Sequence, residues 1–222
     1  MSKQFMAVLA AIVLIFVGIV AFGGKTNNSN NQSSSTTGMS NHVEGQNKNG
    51  ITLVEYGDYQ CPFCGQYYPI VKQVQSEFNQ QLAFQFVNFP LTSLHPNAFA
   101  SARAAEAAGL QGKFWEMHDL LYQQNDQNQQ APATPSWITS TSPTTFFNAD
   151  AQQLGLNVTQ FKSDYASEKV NNLINADMAE GNKLGVNATP TFYLDGKKIN
   201  PGESVSQFEQ LINAEIAKKP KA

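Results

Sequence analysis

Cys61 and Cys64 are the only two cysteines in the chain, and just Pro62 and Phe63 separate them. Residues three apart on a helix share one face at roughly 5 to 6 Å, a separation that an unstrained disulfide spans with little backbone movement. Pro62 lacks an N–H, and the first helical turn does not need that donor, so a helix can begin at Cys61. There the unpaired N–H groups and the positive end of the helix dipole favour a thiolate and lower its pKa below the free value of ~8.5. Cys64, one turn further in, is expected to be more buried and less acidic. One sulfur that attacks and one that resolves make the pair that thiol–disulfide exchange requires.

Other chemistries fit these residues less well. A C-x-x-C pair also occurs in zinc sites, but only His42, His95 and His118 could complete one, and none is spaced as a ligand pair. A purely structural disulfide would close a loop across two residues and constrain the unfolded chain little. The sequence has no nucleotide-binding glycine loop, no H-E-x-x-H and no serine-nucleophile elbow. A net charge of -3, without a dense basic stretch, gives no sign of nucleic acid as a partner. No metal or cofactor is expected beyond a redox-active Cys61–Cys64 disulfide. His95 precedes Pro96 and reads as part of a helix start, and His118 as a helix-packing residue.

The elements that position the cysteines can be read on both sides of them. Ile51 to Tyr56 is a strand leading into the site, with Gly57 at its break. After Cys64, the residues Tyr67, Ile70, Val71, Val74 and Phe78 recur at helical spacing, with Pro69 set to kink that helix. Leu82 to Phe89 reads as a second strand closed by Pro90, so strand, helix and strand form a right-handed unit with parallel strands. Of the nearby aromatic residues Tyr56, Tyr59, Phe63, Tyr67 and Tyr68, some are expected in the core and some along an apolar peptide groove.

From about 95 to 184 the pattern turns helical. Helices are expected at 97–108 with Gly109 as C-cap, 113–123, 146–154, 158–167 and 168–184, with 124–144 as a long polar loop in which Trp137 and Ile138 dock. Strand character returns at Thr191 to Leu194 and Lys197 to Ile199, joined by Asp195-Gly196, the composition of a type I′ turn. Val205 to Ile216 closes the chain as an amphipathic helix. Setting aside 95–184 leaves β-α-β followed by β-β-α, an α/β unit with a helical insertion.

Residues 5–22 form an unbroken apolar run with Lys3 before it and Lys25 after it. Its length exceeds the ~7 to 15 residues of a cleavable signal core, so it reads as an uncleaved membrane anchor over 1–23, although Ala21-Phe22-Gly23 approaches a cleavage site. Residues 24–50 are dominated by Asn, Ser, Gln, Thr and Gly and read as a flexible linker. The folded domain is then 51–218, expected outside the cytoplasm, where disulfides persist.

Over nearly all of 51–218 the chain resembles the DsbA-like thioredoxin-fold disulfide oxidoreductases, in particular their membrane-tethered bacterial branch. The resemblance rests on Cys61-Pro62-Phe63-Cys64, on Pro69 eight residues after the first cysteine, and on Ala188-Thr189-Pro190-Thr191. It implies an α/β thioredoxin fold, a central sheet flanked by helices with a helical insertion between its halves. It also implies a cis bond before Pro190 beside the disulfide, where composition alone would allow an ordinary trans proline. By the same resemblance Cys61 and Cys64 are catalytic. Pro62, Phe63, Thr189 and Pro190 bind the substrate chain, and Glu55 is a buried carboxylate that exchanges a proton with Cys64. Read on its own, Glu55 is as easily a strand residue facing water. One departure stands out: Phe63 occupies a position where strongly oxidising members carry histidine.

The expected function is thus an extracytoplasmic thiol–disulfide oxidoreductase that introduces disulfides into exported, cysteine-containing polypeptides. It would be held at the cell membrane as a single-pass monomer and be reoxidised by a quinone-linked integral membrane partner. The same site run as a disulfide reductase is one alternative. A non-catalytic tethered peptide-binding or chaperone module is the other.

Overall fold

The computed structural model describes residues 38–131 and 135–219. The expected anchor over 5–22 lies outside the described residues. Among those described, no helix is long and apolar enough to cross a membrane.

Five strands form one mixed sheet, in the order β1-β3-β2-β4-β5. They are β1 (His42–Glu44), β2 (Ile51–Gly57), β3 (Leu82–Asn88), β4 (Thr191–Leu194) and β5 (Lys197–Ile199). Strands β2 and β3 run parallel, joined by α1 (Pro62–Phe78), and β4 pairs antiparallel with the other side of β2. Between β3 and β4 lie α2 (Ala98–Gly109), α3 (Phe114–Gln130), α4 (Thr144–Gln153), α5 (Val158–Tyr165) and α6 (Glu168–Lys183), and α7 (Val205–Ile216) ends the fold. This is the thioredoxin fold with its helical insertion.

Alternation along β2 decides what meets the cysteines. Ile51 and Leu53 join Phe84, Phe86, Phe192 and Phe208 in the main core, which also takes in Cys64, Val71 and Val74 of α1. Glu55 follows on the same face, because successive strand residues alternate sides. On the opposite face Tyr56, Val87, Phe89 and Tyr193 make a second apolar cluster with Met178 of α6 beside it. The β4–β5 hairpin turns at Asp195 and Gly196, whose φ values of 50° and 76° are those of the expected I′ turn.

Two expected boundaries are corrected. Residues 38–50, read as the end of a flexible linker, are folded. Strand β1 pairs antiparallel with the edge of β3, His42 opposite Phe86, and Ser40 is buried against Asp177. Three residues are too few for a strand pattern to show, and the stability comes from distant partners instead. Ser40 N and Oγ donate to the two Asp177 oxygens at 2.8 and 2.6 Å, and His42 Nε2 lies 2.8 Å from Glu106 Oε1, its ring stacked on Phe114. The second correction concerns α3, which runs through Gln130 rather than stopping at 123. Its polar last turns read as loop by composition, but their amides are bonded to the site described below. Trp137 docks as expected, 1% exposed against Phe147. Helix α2 includes Gly109, with Leu110 as its C-cap.

Candidate active site

The chain leaves β2 at Gly57, turns through Asp58-Tyr59-Gln60, and enters α1 with Cys61 as N-cap and Pro62 in the first turn. Cys61 N donates to Asp58 O at 3.0 Å, and Asp58 Oδ1 accepts from Gln60 N at 2.8 Å, which closes the turn. Helix α3 holds it from the side. Asn125 Nδ2 donates to the carbonyls of Tyr59 and Cys61 at 2.8 and 2.9 Å, and Gln129 Nε2 donates to Pro62 O at 3.0 Å. Gly65 makes this close approach possible, since a Cβ there would sit 2.7 Å from the Gln129 amide and 3.1 Å from Asn125. Beneath the turn Tyr59 packs on Phe86 and Tyr122, and its hydroxyl lies 3.1 Å from His118 Nδ1.

Both cysteines are free thiols and both are buried, Cys64 completely. Their acidities diverge. Cys61 is lowered to about 6, first by a hydrogen bond from Cys64 and then by the Thr189 hydroxyl and the N–H groups of Cys64 and Phe63, with burial opposing. Neither N–H closes a full helix-cap bond to the sulfur in the dithiol state. Cys64 is pushed well above the usual thiol range, chiefly by burial. The thiolate therefore forms on the outer sulfur while the inner one keeps its proton.

Two further groups meet the pair. The Thr189–Pro190 bond is cis, and the loop before β4 brings Thr189 O to 3.3 Å from Cys61 Sγ, the thiol donating. The Thr189 hydroxyl oxygen is buried with no hydrogen-bond partner among the described residues in the dithiol state, and so is free to donate to a Cys61 thiolate. Glu55 is 3% exposed, so the water-facing reading of that carboxylate is corrected. Burial first, and the neighbouring Cys61 charge second, push its pKa up to about 8, so it carries a proton at neutral pH. Phe63 stands at the rim, 63% exposed, while Tyr56 and Tyr59 are core residues rather than groove lining.

A family model described as Thioredoxin matches residues 37–214. The chain belongs to the thioredoxin family. Among curated relatives, the Na(+)/H(+) antiporter NhaA 1 of Mycolicibacterium gilvum is 36% identical over 160 residues, which cover 71% of this chain and 24% of that protein. Its namesake in Salinispora arenicola is 32% identical over 176 residues, covering 79% and 25%. The chain thus spans about a quarter of the length of these relatives. Among solved structures, BdbD from Bacillus subtilis in its oxidised form aligns with a TM-score of 0.65 at 23% identity, covering 79% of this chain and 92% of that one. Wolbachia pipientis alpha-DsbA1 aligns at 0.67 and 19%, covering 80% and 92%. At these identities the likeness is one of fold, a thioredoxin fold with a helical insertion.

Within this family member, the structure brings together Glu55, Cys61, Pro62, Cys64, Thr189 and Pro190, with Phe63 at the edge. Sequence reasoning missed Asp58, Asn125 and Gln129. The signal available for the last two was the i, i+4 spacing of amides within what read as a polar loop.

Proposed function

We propose that this chain is an extracytoplasmic thiol–disulfide oxidoreductase that introduces disulfides into exported polypeptides. The observation that carries the proposal is the divided acidity of the C-x-x-C pair, Cys61 at about 6 and Cys64 far above it. In the oxidising direction a substrate thiolate attacks Cys61 of the Cys61–Cys64 disulfide, and Cys64 leaves, taking up a proton in its buried site. The second substrate thiolate then attacks the substrate sulfur of the mixed disulfide, and Cys61 departs as a stable thiolate. Two electrons pass from the substrate dithiol to the protein. Glu55, protonated and buried beside the pair, is positioned to supply the proton that Cys64 acquires.

The same asymmetry supports the oxidising direction. Stabilising the thiolate stabilises the reduced form and makes the disulfide the stronger oxidant. A pKa of about 6 lies between the ~7 of thioredoxin and the ~3.5 of DsbA. Only the part of the shift below ambient pH counts, so at pH 7 it contributes about 1.4 kcal/mol, or about 30 mV, over an unperturbed thiol. Thr189 and Pro190, in the loop before β4, bind the backbone of an extended substrate chain, with Phe63 contributing an apolar contact.

A membrane setting is supported by the apolar run at 5–22 and by relatives named for sodium/proton exchange. A membrane-embedded, quinone-linked disulfide protein is the proposed oxidant that restores Cys61–Cys64, and a tether would raise its effective concentration. The test is oxidation of a reduced, unfolded substrate by the isolated oxidised protein. Wild type should transfer its disulfide stoichiometrically, Cys61→Ser should be inert, and Cys64→Ser should accumulate mixed disulfides with substrate. Normal transfer by either variant would contradict the assignment.

A further inference from the structure

Three side-chain amides stand in line beside the redox turn. Gln66 Nε2 of α1 donates to Gln129 Oε1 of α3 at 3.2 Å. Gln129 Nε2 divides its two N–H groups between Asn125 Oδ1 at 3.2 Å and Pro62 O at 3.0 Å. Asn125 Nδ2, on a side chain buried with its residue at 2% exposure, spends both of its own on the Tyr59 and Cys61 carbonyls. The amide oxygens of Gln129 and Asn125 both accept and their N–H groups all donate, so the chain of bonds runs unbroken from Gln66 to the backbone at Cys61.

Of the three carbonyls engaged, one belongs to a peptide group whose N–H faces the nucleophile. Tyr59 O shares its peptide with Gln60 N, which is spent on Asp58 Oδ1, and Cys61 O shares its peptide with Pro62, which has no N–H. Pro62 O shares its peptide with the N–H of Phe63. Cys61 is the N-cap of α1, so Phe63 and Cys64 are the second and third helical residues, whose N–H groups an N-cap side chain accepts from. Hydrogen bonds in series polarise one another, by roughly 10 to 30% per bond. A donor on Pro62 O therefore makes the Phe63 N–H a stronger donor toward Cys61 Sγ. A thiol accepts weakly and a thiolate strongly, so the gain falls on the ionised form, and the Phe63 N–H is among the groups that lower the Cys61 pKa.

The turn is held on its other side without Gln129. Asp58 Oδ2 accepts from Leu91 N at 2.9 Å and lies 2.7 Å from His95 Nδ1. Gln60 Oε1 accepts from Asn97 N at 2.6 Å, and Gln60 Nε2 donates to Ile138 O at 2.8 Å. We propose that Gln129 is a positioning residue of the redox centre, its amide polarising the Pro62–Phe63 peptide group so that the Phe63 N–H stabilises the Cys61 thiolate. The helical insertion thereby tunes a nucleophile carried by the β-α-β half. The assignment rests on the reading of Cys61 as the attacking sulfur and is independent of the direction of the redox reaction.

The experiment follows the pH dependence of Cys61 alkylation by iodoacetamide in the reduced full chain. Gln129→Met has similar length and no donor, and it should raise the Cys61 midpoint by about 0.3 unit, roughly a twofold fall in the ratio of thiolate to thiol. Gln129→Glu sets an acceptor oxygen against Pro62 O and should raise the midpoint further. In the wild-type protein the side-chain amide protons of Gln129, followed by NMR, should move downfield with the Cys61 midpoint, because polarisation runs both ways along the series. Cys61→Ser should abolish that movement. An unchanged midpoint in folded Gln129→Met would overturn the proposal even if the variant melts earlier, since a merely structural amide affects melting and not the midpoint. Gln129 resonances that do not follow the Cys61 midpoint would overturn it even if both variants fail to fold. A wild-type Cys61 midpoint near the free-thiol value of ~8.5 would instead undo the reading of Cys61 as the attacking sulfur, and this inference with it, so the two failures have different signatures.

Discussion

The Cys61 sulfur lies 3.3 Å from the carbonyl oxygen of Thr189, a contact that joins residues 128 positions apart. The thiol donates to that carbonyl, whereas a thiolate has no proton to give. Ionisation of Cys61 therefore frees the last carbonyl before the cis Pro190 for the backbone of an incoming peptide, while the Thr189 hydroxyl favours the new charge. Nucleophile and docking strand are coupled through one hydrogen bond.

The first expected outcome is a separation of thiol reactivities. In the reduced protein Cys61 should alkylate with a midpoint near pH 6, and Cys64 should resist alkylation until far above 9. Because the folded pKa of Cys61 is depressed, its stabilisation of the reduced form is complete above the unfolded value and disappears as pH falls through about 6. Mass spectrometry of modified peptides across pH checks this. Equal reactivity of the two sulfurs would contradict the site geometry.

Glu55 gives the opposite sign. Its pKa rises from 4.5 to about 8, so the folded state keeps a proton that the unfolded state has lost, and stability falls as pH climbs across that interval. Glu55→Gln removes the dependence. At pH 8 the variant should be more stable than wild type by about 2 to 4 kcal/mol, with the difference shrinking toward pH 5. Its release of mixed disulfides should be slower. Thermal melts at the two pH values and single-turnover exchange measure both effects.

Much of this was legible in the sequence, for physical reasons that differ by element. Asp195-Gly196 specifies its turn because both positions need positive φ, and Pro62 marks a helix start because nothing else tolerates it as well. Those are local constraints, visible in a few residues. Strand β1, the last turns of α3 and the pairing of Asp58 with His95 were not legible, since each is fixed by partners far along the chain. Composition assigned the amides of Asn125 and Gln129 to a loop, although a polar residue bonded to buried carbonyls is as structural as a leucine. The burial of Glu55 lay between the two cases: strand alternation puts it on the face of Ile51 and Leu53, but only the assembled core shows that the face is closed.

The segment 38–44 should matter to stability out of proportion to its length. Asp177, wholly buried, accepts from Ser40 N and Oγ and from Asn88 N and Nδ2, the last two at 3.1 Å. Asp177→Ala leaves those donors unpaired and should cost about 3 to 5 kcal/mol in denaturant unfolding, with Ser40→Ala costing about 1 to 2. A loss below about 1 kcal/mol for Asp177→Ala would show that the segment is not held by this network.

Phe63 should affect recognition and not folding. At 63% exposure its truncation to Ala should change stability by no more than about 0.5 kcal/mol. If the ring meets an apolar substrate side chain, KM for a cysteine-containing peptide should rise about fivefold to tenfold with little change in kcat. An unaltered KM would remove Phe63 from the docking surface.

The most direct test of the central claim is the equilibrium reduction potential of the Cys61/Cys64 couple, titrated against glutathione. The account predicts a single two-electron transition above the ~-270 mV of thioredoxin, displaced toward the ~-120 mV of DsbA, with the Cys61 thiolate contributing about 30 mV of that displacement by stabilising the reduced form. A value at or below ~-270 mV would contradict the oxidising role and make the same site a reductase.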